Sequence, residues 1–147
     1  MILNDAEKHC EKIGGRFTAP RRAVLSVIID SDKPIGAYDI LKKMPGDVKP
    51  PTVYRALEFW EQEGFIHRIG SLNLYTACKA GHRHSGAQFL ICDDCGNVTE
   101  THTCAIPDIC TATAEKNKFK LRGWFLELHG QCHSCQGDLA TNVGCAC

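Results

Sequence analysis

Lys49-Pro-Pro-Thr-Val-Tyr-Arg-Ala-Leu-Glu-Phe-Trp-Glu-Gln-Glu-Gly-Phe-Ile-His-Arg-Ile-Gly-Ser-Leu-Asn-Leu-Tyr-Thr76 reads as a helix, a strand, a tight turn and a second strand. The two prolines fall in the first helical turn, where a missing backbone N–H costs nothing. Val53, Ala56, Leu57 and Trp60 then line one apolar stripe and Gly64 ends the run. Tyr54 and Arg55 lie off that stripe. Phe65–Ile69 and Leu72–Thr76 alternate as strands on either side of Gly70-Ser71. Upstream, Asn4 with Glu7 forms a capping-box pattern for a first helix closed by Gly14-Gly15. Thr18 caps a second helix, with Pro20 in its first turn and an apolar face of Val24, Leu25, Val27, Ile28 and Ile29. A short helix over about Ala37 to Met44 follows the Lys33-Pro34-Ile35-Gly36 turn. Helices followed by a two-stranded wing make a winged helix-turn-helix over residues 1–78, with the helix before the wing entering the DNA major groove. Tyr54 and Arg55 are then candidates for base or phosphate contact, whereas Trp60 belongs to the core.

The composition fits this reading without requiring it. The chain has 147 residues, 44% hydrophobic and 23% charged, and its formal net charge is zero. That is ordinary for a globular protein and gives no global sign of a polyanionic partner. Locally, Lys12, Arg16, Arg21 and Arg22 occur with no acid among them, and Lys42, Lys43, Lys49 and Arg55 are set against only Asp47. Such clusters suit phosphate contact, although a solvated helix face reads the same way. The opening Met1-Ile-Leu-Asn-Asp-Ala-Glu has no basic n-region or apolar h-region, and no stretch approaches the roughly 18 apolar residues that cross a bilayer. The expectation is a cytoplasmic protein with no membrane partner. In that reducing setting ten cysteines and seven histidines favour metal ligation over disulfides.

The second half carries the metal signal. Residues 79–86, Lys-Ala-Gly-His-Arg-His-Ser-Gly, have no apolar pattern and read as a hinge. Residues 87–147 then hold strands at about Gln88–Cys92 and Asn97–Glu100, a helix at about Pro107–Lys118 and a strand at about Trp124–Leu128. The fold class is therefore α+β, a winged helix followed by a small α/β domain. At the strand ends stand two clips, Cys92-Asp-Asp-Cys95-Gly96 and Cys132-His-Ser-Cys135-Gln-Gly137, whose four thiolates are the ligand set of a tetrahedral zinc site. The interval between them exceeds the roughly 15 to 20 residues of a minimal zinc ribbon. The metal would close a subdomain whose own core is small, which also favours a partner subunit. Beyond the clips, His67 on the wing, Cys78 at its end, His82 and His84 in the hinge and Glu100 offer a second set of zinc-type ligands. A surface histidine and a buried small hydrophobe are the plain readings of His67 and Cys78. A metal held across both halves would instead fix the angle between them, as a metal-sensing switch requires.

Lys49-Pro-Pro-Thr-Val-Tyr-Arg-Ala-Leu57, Gly64-Phe-Ile-His67, Tyr75-Thr-Ala-Cys78, Phe89-Leu-Ile-Cys92 with Cys95-Gly96, and Glu127-Leu-His-Gly-Gln-Cys132 together resemble the Fur superfamily of metal-responsive repressors, most of all its zinc-sensing Zur branch. The resemblance runs from Phe17 to Cys135. It implies a homodimer on a palindromic double-stranded DNA operator, with zinc as corepressor at two sites per chain. By position, Cys92, Cys95, Cys132 and Cys135 would be structural ligands, and His67, Cys78, His84 and Glu100 regulatory ones. His84 fits better than His82, since the family supplies a ligand just before the Phe of the first clip. Tyr54 and Arg55 would read DNA, supported by Thr52 and by Arg21. Two features depart from the pattern. Trp124 stands where iron-sensing relatives place a third-site histidine, and the tail Gly144-Cys-Ala-Cys147 has no counterpart.

The function expected is zinc-responsive repression of zinc uptake genes, with no enzymatic activity. An iron-, manganese- or peroxide-sensing member of the superfamily is the neighbouring alternative, against which Cys78 argues. A rubredoxin-like electron carrier would leave the proline-opened helix and its basic flanks without a use. A zinc hydrolase or deaminase needs an open metal position and a nearby base, and neither a His-Glu-x-x-His run nor a His-x-Glu with Pro-Cys-x-x-Cys is present.

Overall fold

The computed structural model describes residues 2–79, 86–101 and 105–137. Four helices come first: α1 (Ile2–Lys12), α2 (Ala19–Ile29), α3 (Ala37–Lys43) and α4 (Pro50–Gln62). The hairpin β1 (Ile66–Ile69) and β2 (Leu74–Ala77) follows, then β3 (Gly86–Cys92), β4 (Val98–Thr101), α5 (Asp108–Lys116) and β5 (Trp124–Gly130). The first core is built from the predicted stripes, with Val24, Leu25 and Ile28 of α2 meeting Val53, Ala56, Leu57 and Trp60 of α4. Trp60 is fully buried yet satisfied, since its indole N–H donates to the Arg21 carbonyl at 2.9 Å. The ring also meets Phe17, Phe59 and Phe65 edge-on, a geometry that aromatic quadrupoles favour.

Three local expectations change. Helix α1 begins before Asn4, so Asn4 and Glu7 sit inside it, and Glu7 pairs with Arg22 at 3.1 Å instead of closing a capping box. The wing turn is longer than Gly70-Ser71. Ile69 pairs with Leu74 across four residues, because Asn73 adopts φ 52° and accepts from Arg68 through its side chain at 2.8 Å. Asparagine enters the left-handed region at little cost, which moves the turn past Leu72. Strand β3 begins at Gly86, the last residue of the expected hinge. Of that hinge, 80–85 lies outside the described residues, as does the 138–147 tail with Cys145 and Cys147. The Thr18 cap is present, its hydroxyl oxygen accepting the Arg21 N–H at 3.5 Å.

The second sheet has the order β4-β3-β5, with β4 antiparallel and β5 parallel to β3. Its core is small: Ala87, Phe89 and Ile91 of β3 with Val98 and, from the wing, Ile69. Ile109, Phe119, Phe125, Leu90 and Leu128 stay exposed. Gly86 lies opposite Trp124, and a Cβ there would fall 2.3 Å from the indole. At position 124 the buried tryptophan therefore fills the space over the start of β3.

Candidate metal centres and nucleic-acid face

The parallel pairing of β3 with β5 brings the clips together. Cys92 ends β3 opposite Gly130, so the chain leaves both strands at one end of the sheet and each clip turns there. Cys92, Cys95, Cys132 and Cys135 have sulfurs all within 4.8 Å of one another, with Cys95 to Cys132 at 3.7 Å. The seven described cysteines are all free thiols. Polar contacts between the first clip and residues 129–131, just ahead of the second, fix the arrangement: Asp93 N–H to the Gly130 carbonyl at 2.8 Å, Gln131 to Asp94 at 2.7 Å and His129 to Asp93 at 3.0 Å. The Cys132 N–H donates to Cys92 Sγ at 3.3 Å. That bond, followed by donors from the first clip, lowers the Cys92 thiol to about 6. Cys135 shifts upward because the sulfurs of Cys132, Cys95 and Cys92 crowd it. Cys95 also shifts upward: the Asn97 N–H favours its thiolate, but Cys92 and Cys132 outweigh that donor. Four converging sulfurs, with the Cys92 thiolate favoured and the Cys95 and Cys135 thiolates disfavoured by their neighbours, are the donor set that a divalent cation completes, and zinc fits it.

The second cluster lies where the wing meets the second sheet. Alternation along β1 sends His67 and Ile69 toward that sheet and Ile66 into the first core. His67 is 5% exposed, flanked by the rings of Phe89 at 6.1 Å and Phe125 at 6.4 Å. Cys78, just past β2, is buried and its N–H donates to the Phe65 carbonyl at 2.9 Å. Glu100 on β4 lies beside Phe89 in the β3–β4 register. One ligand atom from each of His67, Cys78 and Glu100 falls within 4.8 Å of the others, and His67 Nε2 is 3.4 Å from Glu100 Oε1. Glu100 Oε2 is buried with no hydrogen bond among the described residues. A buried carboxylate oxygen without a donor is costly unless a cation faces it. These three residues therefore fit a metal, and the thiol among them suits zinc. His82 and His84 lie outside the described residues.

The nucleic-acid candidates share one face. On α4, Tyr54 and Arg55 are exposed and Thr52 is partly so. A cleft of about 470 Å³ between α2 and α4 is lined by Arg16, Thr18, Arg21, Thr52, Arg55 and Phe59, among others. Arg21 is held within it. Its guanidinium carbon sits 3.5 Å from the Phe59 ring centroid and one nitrogen donates to the Arg16 carbonyl at 2.7 Å. A guanidinium stacked in this way keeps its remaining N–H groups free to meet an anion in the ring plane. Sequence reasoning missed two participants, Phe59 beneath Arg21 and Glu127, whose carboxylate meets the wing turn. Phe59 had its place on α4 as a signal, whereas Glu127 had none beyond lying in a recognisable motif.

Comparison with known proteins agrees with this architecture. The model of the ferric uptake regulator family, FUR, matches residues 12–129. The zinc uptake regulation protein of Escherichia coli K12 is 40% identical over 139 residues, covering 91% of this chain and 81% of that protein. Among solved structures, a zinc uptake regulator complexed with zinc and DNA aligns with a TM-score of 0.82 at 38% identity, covering 91% of this chain and 92% of that one. The holo form of XcZur aligns at 0.78 with 36% identity, covering 90% and 95%. With a family match running from the end of the first helix through the last strand, and a relative this similar over nearly the whole length, the chain belongs to the ferric uptake regulator family.

Proposed function

We propose that this protein is a zinc-responsive, DNA-binding transcriptional repressor that controls zinc uptake genes, with zinc as its corepressor. The observation that carries the reading is the buried His67, Cys78 and Glu100 cluster, a thiol, an imidazole and a carboxylate drawn from both halves of the chain. The similarity to zinc uptake regulators, one of them complexed with zinc and DNA, supports it. Two zinc sites per chain are proposed. Cys92, Cys95, Cys132 and Cys135 would hold the structural ion, and His67, Cys78, His84 and Glu100 the regulatory one. Bound zinc supplies the positive charge that lets thiolates and a carboxylate converge out of water.

With those charges balanced, β1 and the end of β2 stay joined to β4. The winged helix of residues 1–78 then keeps a fixed angle, across the 79–86 hinge, to the dimerisation domain of 87–147. In a homodimer that angle sets the spacing of two α4 helices, and a palindromic operator accepts both only at the right spacing. Arg55 and Tyr54 read bases, while Arg21 and Thr52 grip the backbone. The exposed Ile109, Phe119 and Leu128 suit burial against a second copy. No described helix is long and apolar enough to cross a membrane, and a cytoplasmic location is proposed. Operator binding measured at buffered free zinc, manganese and iron(II) tests the reading. Zinc is expected to support binding at the lowest free concentration, and an equal or better response to manganese or iron(II) would overturn it.

A further inference from the structure

Glu127 on β5 reaches the wing. Its Oε1 accepts the Gly70 N–H at 2.7 Å and its Oε2 accepts the Ser71 N–H at 3.2 Å. Two successive backbone donors on one carboxylate make charge-assisted bonds, stronger than neutral ones. The Ser71 hydroxyl, ahead of these amides, holds the Glu127 carboxyl below the usual carboxylate range. The contact continues on the other side. His129 lies with Nε2 3.8 Å from Glu127 Oε2 and Nδ1 3.0 Å from Asp93 Oδ1. A polar chain therefore runs from the turn of the wing to the residue after Cys92. None of its members belongs to the His67, Cys78 and Glu100 cluster. Beside it, Ile69 is fully buried among Ala87, Phe89 and Ile91.

We propose that Glu127 is an interdomain latch, a positioning residue that holds the Gly70 and Ser71 amides against the second sheet and so sets how much zinc the chain needs before it binds its operator. The inference rests on the zinc-responsive reading above. If only the closed arrangement binds DNA, its population in the metal-free chain scales the apparent zinc affinity. The latch raises that population without touching metal or DNA. A latch too strong would close the chain without zinc, and one too weak would waste the regulatory ligands.

The test uses the full-length dimer with Glu127→Gln, Ser71→Ala and the double substitution. Each is titrated with operator at buffered free zinc, with amide exchange followed at Gly70 and Ser71. Glu127→Gln is expected to raise the free zinc at half-maximal binding by about 3- to 10-fold, with both zinc ions retained. Ser71→Ala, on the opposite domain, should shift it less. The double variant should match Glu127→Gln, because both changes break one contact. Exchange at Gly70 and Ser71 should quicken in Glu127→Gln. Unchanged exchange at those two amides, or additive shifts in the double variant, would overturn the latch. A wild-type chain that bound operator without regard to zinc would overturn the functional reading instead, and amide exchange alone would then decide the latch.

Discussion

Arg21 and Arg55 open onto one cleft but are held differently, and the difference predicts different roles. Arg21 is half-buried, stacked on Phe59 and tied to the Arg16 carbonyl, so its position is set before DNA arrives. Arg55 is exposed on α4 and can follow a base edge, donating two hydrogen bonds to guanine. Arg55→Ala should cost about 1–3 kcal/mol per half-site and relax preference at one base position. Arg21→Ala should weaken specific and scrambled duplexes alike and reduce the salt slope by about one. Zinc-loaded protein titrated with both duplexes across a salt series separates the two. Equal weakening of both duplexes by Arg55→Ala would make it a backbone contact and leave base reading to Tyr54. The exposure of Arg55 was legible in the sequence, because one apolar stripe assigns every other position of the helix. The stacking of Arg21 was not, since it depends on how α2 lies across α4. The burial of His67 was hidden for a related reason: β1 is covered on both faces, and alternation alone describes a strand with one wet side.

Among the elements, the strand pair β3 and β5 decides the most. The sequence marked both as strands ending near a cysteine clip, and the grouping of the four cysteines was legible from Cys-x-x-Cys spacing alone. Their direction was not, because parallel and antiparallel strands share one periodicity. Only the parallel register, Cys92 opposite Gly130, puts both clips at one end. The wing turn escaped for a more local reason, the left-handed φ of Asn73, which pattern matching on Gly70-Ser71 passed over. Because so few buried side chains support this sheet, metal binding at the clips would amount to folding free energy, on the order of 10 kcal/mol or more. Cys132→Ser should therefore lose the tightly held zinc and give monomer or aggregate in native mass spectrometry. A folded, zinc-free dimer of that variant would remove the structural role from the clips.

At the scale of the whole molecule, the two halves meet at the proposed regulatory cluster, to which each contributes. His67 comes from the hairpin, Cys78 from just past it and Glu100 from β4, so breaking this cluster should loosen the halves without unfolding either. Cys78→Ser is expected to keep the dimer and the four-cysteine zinc, to hold one zinc fewer per chain, and to lose zinc-dependent operator binding. Metal content and operator titration on the same sample check this. Tight binding with an unchanged zinc requirement would dismiss the cluster as a switch. Gly86 and Trp124, packed face to face where β3 begins, constrain the molecule's history as well as its shape. With the indole in place, any side chain at 86 collides with it, so that position is closed to substitution. Trimming Trp124 first opens the space, and only then can residue 86 vary. A lineage that gains a new ligand or contact at this corner must take the two steps in that order, and a descendant with a bulky residue at 86 should already have lost its tryptophan.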